Sequence, residues 1–273
     1  MYKLLSINFL LTILVLGSNA QKLPAVQKES VRAPTDIKID GKFKEWDNKL
    51  QAHNPATEIS YTIANDDNNL YLVAQVIVEN FDKENLVNKI LRGGLTLAIQ
   101  KTGNKDDKNA ITITYPISNY AFSLHLSASI SGKRDTSAET TNPLVEKNNK
   151  LIEQQIKYIG VKCISGVDSL ISVYNENNIK AAGLFAYNKA YTLELCLPLK
   201  YLNLSASDEP KFAYHIILNG YKRPPTFGPA VMSDGTPDTR PAALRLMEIM
   251  TQMDAAASAR TDFWGEYTLA KKP

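Results

Sequence analysis

The residues that could do chemistry here are few, and their spacing decides what they can do. His53, His125 and His215 are the only histidines, and none has a carboxylate or cysteine at metal-ligand spacing. No Gly-x-Ser-x-Gly elbow is present, and Asp and Glu are scattered through turn-forming segments rather than set as a facing pair. The expectation is a non-catalytic protein that needs no cofactor. Asp66 and Asp67, followed by Asn68 and Asn69, offer oxygen donors for a structural calcium. Asp and Asn are also what a short strand connection selects, so a turn is the leading reading and calcium the weak one. The stretch Tyr221-Lys222-Arg223-Pro224-Pro225-Thr226-Phe227-Gly228 gathers two rings, two cations and rigid prolines behind a strand. Loops of that composition carry binding groups, which makes Tyr221, Arg223 and Phe227 candidate ligand-binding residues against the competing reading of a plain connection. Trp264, on a closing strand, is a further candidate platform, and Trp46 reads as a ring capping the core.

The elements that must position these residues are mostly strands. Short strand-like runs stand at 37–39, 59–64, 70–78, 95–100, 110–115 and 122–130, and most alternate apolar with polar residues, most regularly 122–130. A second series follows at 158–164, 169–174, 180–187, 191–197 and 212–221, and 262–269 closes the chain. Strands without alternating helices predict an all-β, antiparallel two-sheet β-sandwich with jelly-roll or immunoglobulin-like layering and one or two peripheral helices. Those helices are expected at 143–156, where Pro143 suits a first turn, and at 241–257, where Leu244, Leu246, Met247, Met250 and Met253 form an amphipathic pattern.

Residues 1–20 read as a secretory signal peptide: Lys3, an apolar run over 4–16, then Ser18-Asn19-Ala20 before the cut. The run is too short to span a bilayer, so no transmembrane segment is expected in the mature chain, which would start at Gln21 and reside in the periplasm or outside the cell. Residues 21–35 read as a flexible leader, 36–269 as one domain and 270–273 as a tail. The formal charge of +3, which is +2 without Lys3, is spread over mixed Lys, Asp and Glu, and nucleic acid is not an expected partner. Cys163 and Cys196 permit one disulfide. The pattern argues against it, because Cys163 shares a face with Ile159 and Val161 while Cys196 falls beside Thr192 and Glu194.

Ile39-Asp40-Gly41 with Glu45-Trp46, then Asp66-Asp67-Asn68-Asn69-Leu70-Tyr71-Leu72, the stretch from Tyr191 to Leu202 and the closing Trp264-Gly265-Glu266-Tyr267-Thr268-Leu269 occur in an order that resembles the carbohydrate-binding modules of family 9 and related DOMON-like sandwiches. The resemblance implies a secreted module that binds glycans and accompanies polysaccharide breakdown. It also implies two clamp tryptophans, and the sequence departs there: 79–94 offers only Phe81, and 224–262 before the closing strand offers only Phe227. The alternative expectation is a periplasmic or cell-envelope interaction domain that has lost sugar binding and docks a protein partner through 241–257.

Overall fold

The computed structural model describes residues 22–47, 49–101, 105, 106, 108–118, 143–208, 210–222, 232, 234 and 236–272. They form two antiparallel sheets. The first, of five strands, runs β1 (Ala52–Asn54), β2 (Ile59–Asn65), β3 (Asn69–Ile77), β9 (Ala190–Pro198), β8 (Lys180–Phe185). The second, of six, runs β11 (Thr261–Thr268), β10 (Lys211–Leu218), β4 (Leu95–Gln100), β5 (Ile111–Ile117), β6 (Tyr158–Lys162), β7 (Leu170–Ser172). The all-β sandwich expected from the period-two pattern is what these residues build.

Alternation fills the space between the sheets. Tyr191, Leu193, Leu195 and Leu197 of β9 face Phe212, Tyr214, Ile216 and Leu218 of β10 in one buried cluster with Ile59, Tyr61, Ile63, Leu95 and Leu97. At its centre the Tyr61 and Tyr214 hydroxyls share a hydrogen bond of 2.8 Å, which spares two buried hydroxyls the cost of going unpaired. A second cluster lies on the outer face of the first sheet, where Trp46, Ala64, Tyr71, Val73 and Cys196 are covered by Val31, Ala33, Ile37, Ile39, Phe43 and Leu50. That cover explains why every residue of β9 is buried, including the outward Thr192, Glu194 and Cys196. Trp46 is buried and structural, but in this outer cluster and not as a cap on the main core.

Four expectations are corrected. Residues 22–35 are not a loose leader. The Gln27 side chain accepts from Ile63 N at 2.7 Å and donates to Ile63 O at 2.8 Å, occupying the free edge of β2 beyond the end of β1. Arg32 pairs with Asp67 at 2.8 Å. Residues 37–39 belong to no strand ladder; Ile37 and Ile39 are held instead in the apolar cover. Cys163 does not share the inner face of Ile159 and Val161: β6 ends at Lys162, and the chain turns at Cys163 with φ 60°, leaving a free, exposed thiol, while Cys196 is free and buried. Finally, the peripheral helices exceed two. Besides α2 (Pro143–Gln155), the short α3 (Leu199–Leu202) and α4 (Pro241–Ser258), residues Phe81–Gly93 form α1. The strand expected at 122–130, the signal peptide and residue 21 lie outside the described residues. No helix among the described residues is long and apolar enough to cross a membrane.

Candidate functional site

Helix α1 connects β3 of one sheet to β4 of the other, so it lies across one end of the sandwich. Its start is set by Asn80, whose side chain accepts from Lys83 N at 3.0 Å, with Asp82 and Glu84 in the first turn matching the helix dipole. It stops at Gly94, whose φ of 77° suits glycine and whose N–H donates to Ile90 O at 2.8 Å. Val87, Ile90 and Leu91 bury one face in the main core.

The other face is polar, and it is not left to solvent. Asn85, Asn88, Lys89 and Arg92 recur at the spacing that places four residues on one side of a helix. Asn88 is 6% exposed, Lys89 7%, and Glu84, at the border with the core face, 5%. Among the described residues none of these three side chains has a hydrogen-bond or ion-pair partner. Burial raises the Glu84 carboxyl above its ordinary range and lowers the Lys89 ammonium below its own. Arg92 Nη1 donates to the Tyr221 hydroxyl at 3.2 Å, and its guanidinium carbon lies 4.8 Å from that ring's centroid. Its Nε is buried and has no acceptor. Buried polar groups in folded proteins are ordinarily paired, so an unpartnered amide and ammonium beside a guanidinium whose Nε lacks an acceptor, at the loop-rich end of a sandwich, have the chemistry of a ligand-binding floor.

The structure treats the sequence candidates unequally. Tyr221 joins this end: it is buried, held by Arg92 and by its N–H to Ala257 O at 3.0 Å, so it supports the guanidinium instead of presenting an open face. Arg223 and Phe227 lie outside the described residues. Trp264 lies on the outer face of the second sheet and stacks on His215 with centroids 4.2 Å apart and planes 16° apart. His215 Nε2 meets Asp262 Oδ1 at 2.9 Å, and Arg260 Nε donates to Asp262 Oδ2 at 3.1 Å. One face of the Trp264 ring is therefore covered. No described contact joins Trp264 to Tyr221. Asp66 is a turn acid whose Oδ1 accepts from Asn68 N at 2.7 Å and Asn69 N at 2.6 Å and whose Oδ2 accepts from the Tyr71 hydroxyl at 2.6 Å; Asp67 is engaged by Arg32. Among the described residues no three His, Cys, Asp or Glu side chains are grouped to hold a metal.

The polar face of α1 escaped the sequence reading, although its signals were present. Asn80, the 87/90/91 apolar spacing and Gly94 mark a helix, and that helix puts Asn85, Asn88, Lys89 and Arg92 together.

No family model matches the sequence, and no curated protein matches it. Among solved structures the chain is similar to a carbohydrate binding module of family 9 from Caldicellulosiruptor kristjanssonii in complex with glucose, with a TM-score of 0.40 and 10% identity over 90% of this chain and 96% of that one.

Proposed function

We propose that this protein is a non-catalytic, exported module that binds a glycan through the polar face of α1. The observation that carries the reading is the unpartnered burial of Asn88 and Lys89 beside the orphaned Nε of Arg92, a set of donors and acceptors suited to sugar hydroxyls. Export rests on the apolar run after Lys3 and the small residues ending at Ala20. With no stacking pair of tryptophans in the described structure, affinity should be near millimolar, around 4 kcal/mol of binding. A glycan array followed by titration calorimetry tests this. Asn88→Ala and Arg92→Met should each weaken binding severalfold while Trp264→Ala leaves it unchanged. Micromolar binding untouched by the α1 variants would place the site elsewhere, and Arg223, Phe227 and Trp264 would be tested next.

A second reading, a cell-envelope interaction domain, is favoured by one observation. Leu244, Leu246, Met247 and Ile249 of α4 are all 40% or more exposed, so the first half of that helix presents apolar groups that this chain does not bury. Failure to bind any glycan on the array would favour it.

A further inference from the structure

From the charge left uncompensated on α1, we propose that the ligand of this site is an anionic glycan, one carrying carboxylate groups such as a polyuronate. This deepens the glycan-binding reading and rests on it.

Charge balance on this face of α1 points to an anion. Lys89 is 7% exposed, and no carboxylate stands against it or against Arg92 among the described residues. Two cations three residues apart on one helix face repel each other and gain nothing from the turn below. Taking a cation out of water is costly unless an opposite charge meets it, and proteins retain such unpaired charges chiefly where something binds. The nearest acid, Glu84, does not serve. Five residues from Lys89, it lies about 140° around the helix, at the edge of the core face, and forms no pair with it. Other acids close to α1 are already engaged or turned away: Glu58 is bound by Lys83 at 3.0 Å, and Asp82 is exposed in the first turn. The site thus offers an ammonium and a guanidinium to an anion, with the carboxamides of Asn85 and Asn88 beside them for neighbouring hydroxyls. The guanidinium is held through Nη1 on Tyr221 and has no acceptor at its buried Nε, so its charge is left for a carboxylate to meet. A neutral sugar would satisfy the amides and leave both cations without a counter-charge.

The test uses a short oligogalacturonate and its methyl ester, which share a sugar backbone and differ in charge. The intact protein should bind the acid form at least tenfold more tightly than the ester by titration calorimetry, and raising salt from 50 to 500 mM should remove most of that preference. Lys89→Met and Arg92→Met should each lower the acid-over-ester ratio, while Asn88→Ala should weaken both forms equally. Thermal melts of each variant show that it is folded, and Lys89→Met should melt no lower than wild type because it removes an unpaired charge. Equal binding of acid and ester, or tighter binding of the ester, would overturn the anionic assignment and leave glycan binding standing. Binding of neither form, with neutral glycans also failing on the array, would overturn both. Inorganic phosphate bound as tightly as the uronate would mean an anion site without sugar recognition, which also overturns the proposal.

Discussion

The indole N–H of Trp46 donates to Oε1 of Glu194 at 2.7 Å, across 148 residues of sequence. The other carboxylate oxygen accepts from Gly41 N at 2.8 Å and Asp40 N at 3.0 Å. One buried acid on β9 thereby fixes both the Asp-Gly turn and the tryptophan that follow the start of the domain. The apolar cover of Ile37, Ile39 and Phe43 is held on the first sheet between them. All three partners are donors, so the knot is complete only with Glu194 ionised.

Burial opposes that requirement and sets the sign of the pH dependence. Burial pushes the Glu194 carboxyl from 4.5 up to about 7, against the pull of its three hydrogen bonds. The native state then holds the proton more tightly than the unfolded chain, so between pH 4.5 and 7 the stabilising contribution is lost as pH rises, by at most about 3 kcal/mol. His53, lowered from its ordinary value by burial, acts with the opposite sign near its titration. Urea melts at pH 5 and pH 8 should show wild type less stable at pH 8, and Glu194→Gln should lose that fall and keep only the small rise contributed by His53. A wild-type profile that rises with pH, or a variant that keeps the full slope, would contradict this assignment.

Trp46→Ala should destabilise by about 3 kcal/mol, since it empties a core position and leaves Glu194 Oε1 without its donor. Trp46→Phe, which keeps most of the volume and loses only the N–H, should cost about 1 to 2 kcal/mol. Denaturant midpoints measure both, and a loss below about 1 kcal/mol for the alanine variant would reassign the ring to the surface.

Gly265 on β11 faces the Tyr214 ring so closely that a methyl group there would run into Cζ and the hydroxyl oxygen. Gly265→Ala should therefore cost about 1 to 3 kcal/mol by overpacking and should disturb the Tyr61–Tyr214 hydrogen bond. Near-ultraviolet circular dichroism with a urea melt reads both effects; an unchanged midpoint would show that the sheets can separate locally at no cost.

Gln27→Ala should cost about 1 to 3 kcal/mol, because Ile63 N–H and C=O, both inside the structure, lose their partners on the β2 edge. Hydrogen exchange at Ile63 is the specific check. Protection there should fall in the variant, and a mobile leader would instead leave stability and protection as they are in wild type.

The sequence by itself determined the two-sheet sandwich. A strand with one face in the core must alternate, and 59–64, 95–100 and 191–197 do so without reference to anything distant. It also determined α2 and α4, whose first turns carry Pro143 and Pro241. α1 was equally legible in its caps and apolar spacing, and its polar face could have been read with them. Tertiary structure decided the rest. Residues 22–35 have no periodicity because their order comes from Gln27 reaching a strand 36 residues away, not from a repeating local pattern. The engagement of Tyr221 by Arg92, 129 residues earlier, turned a candidate platform into a support. The same reasoning holds for Lys89. An ammonium on a helix reads as a solvated face in sequence, and only burial without a counter-charge makes it a candidate for binding, because the cost of an unpaired charge depends on what the fold packs around it.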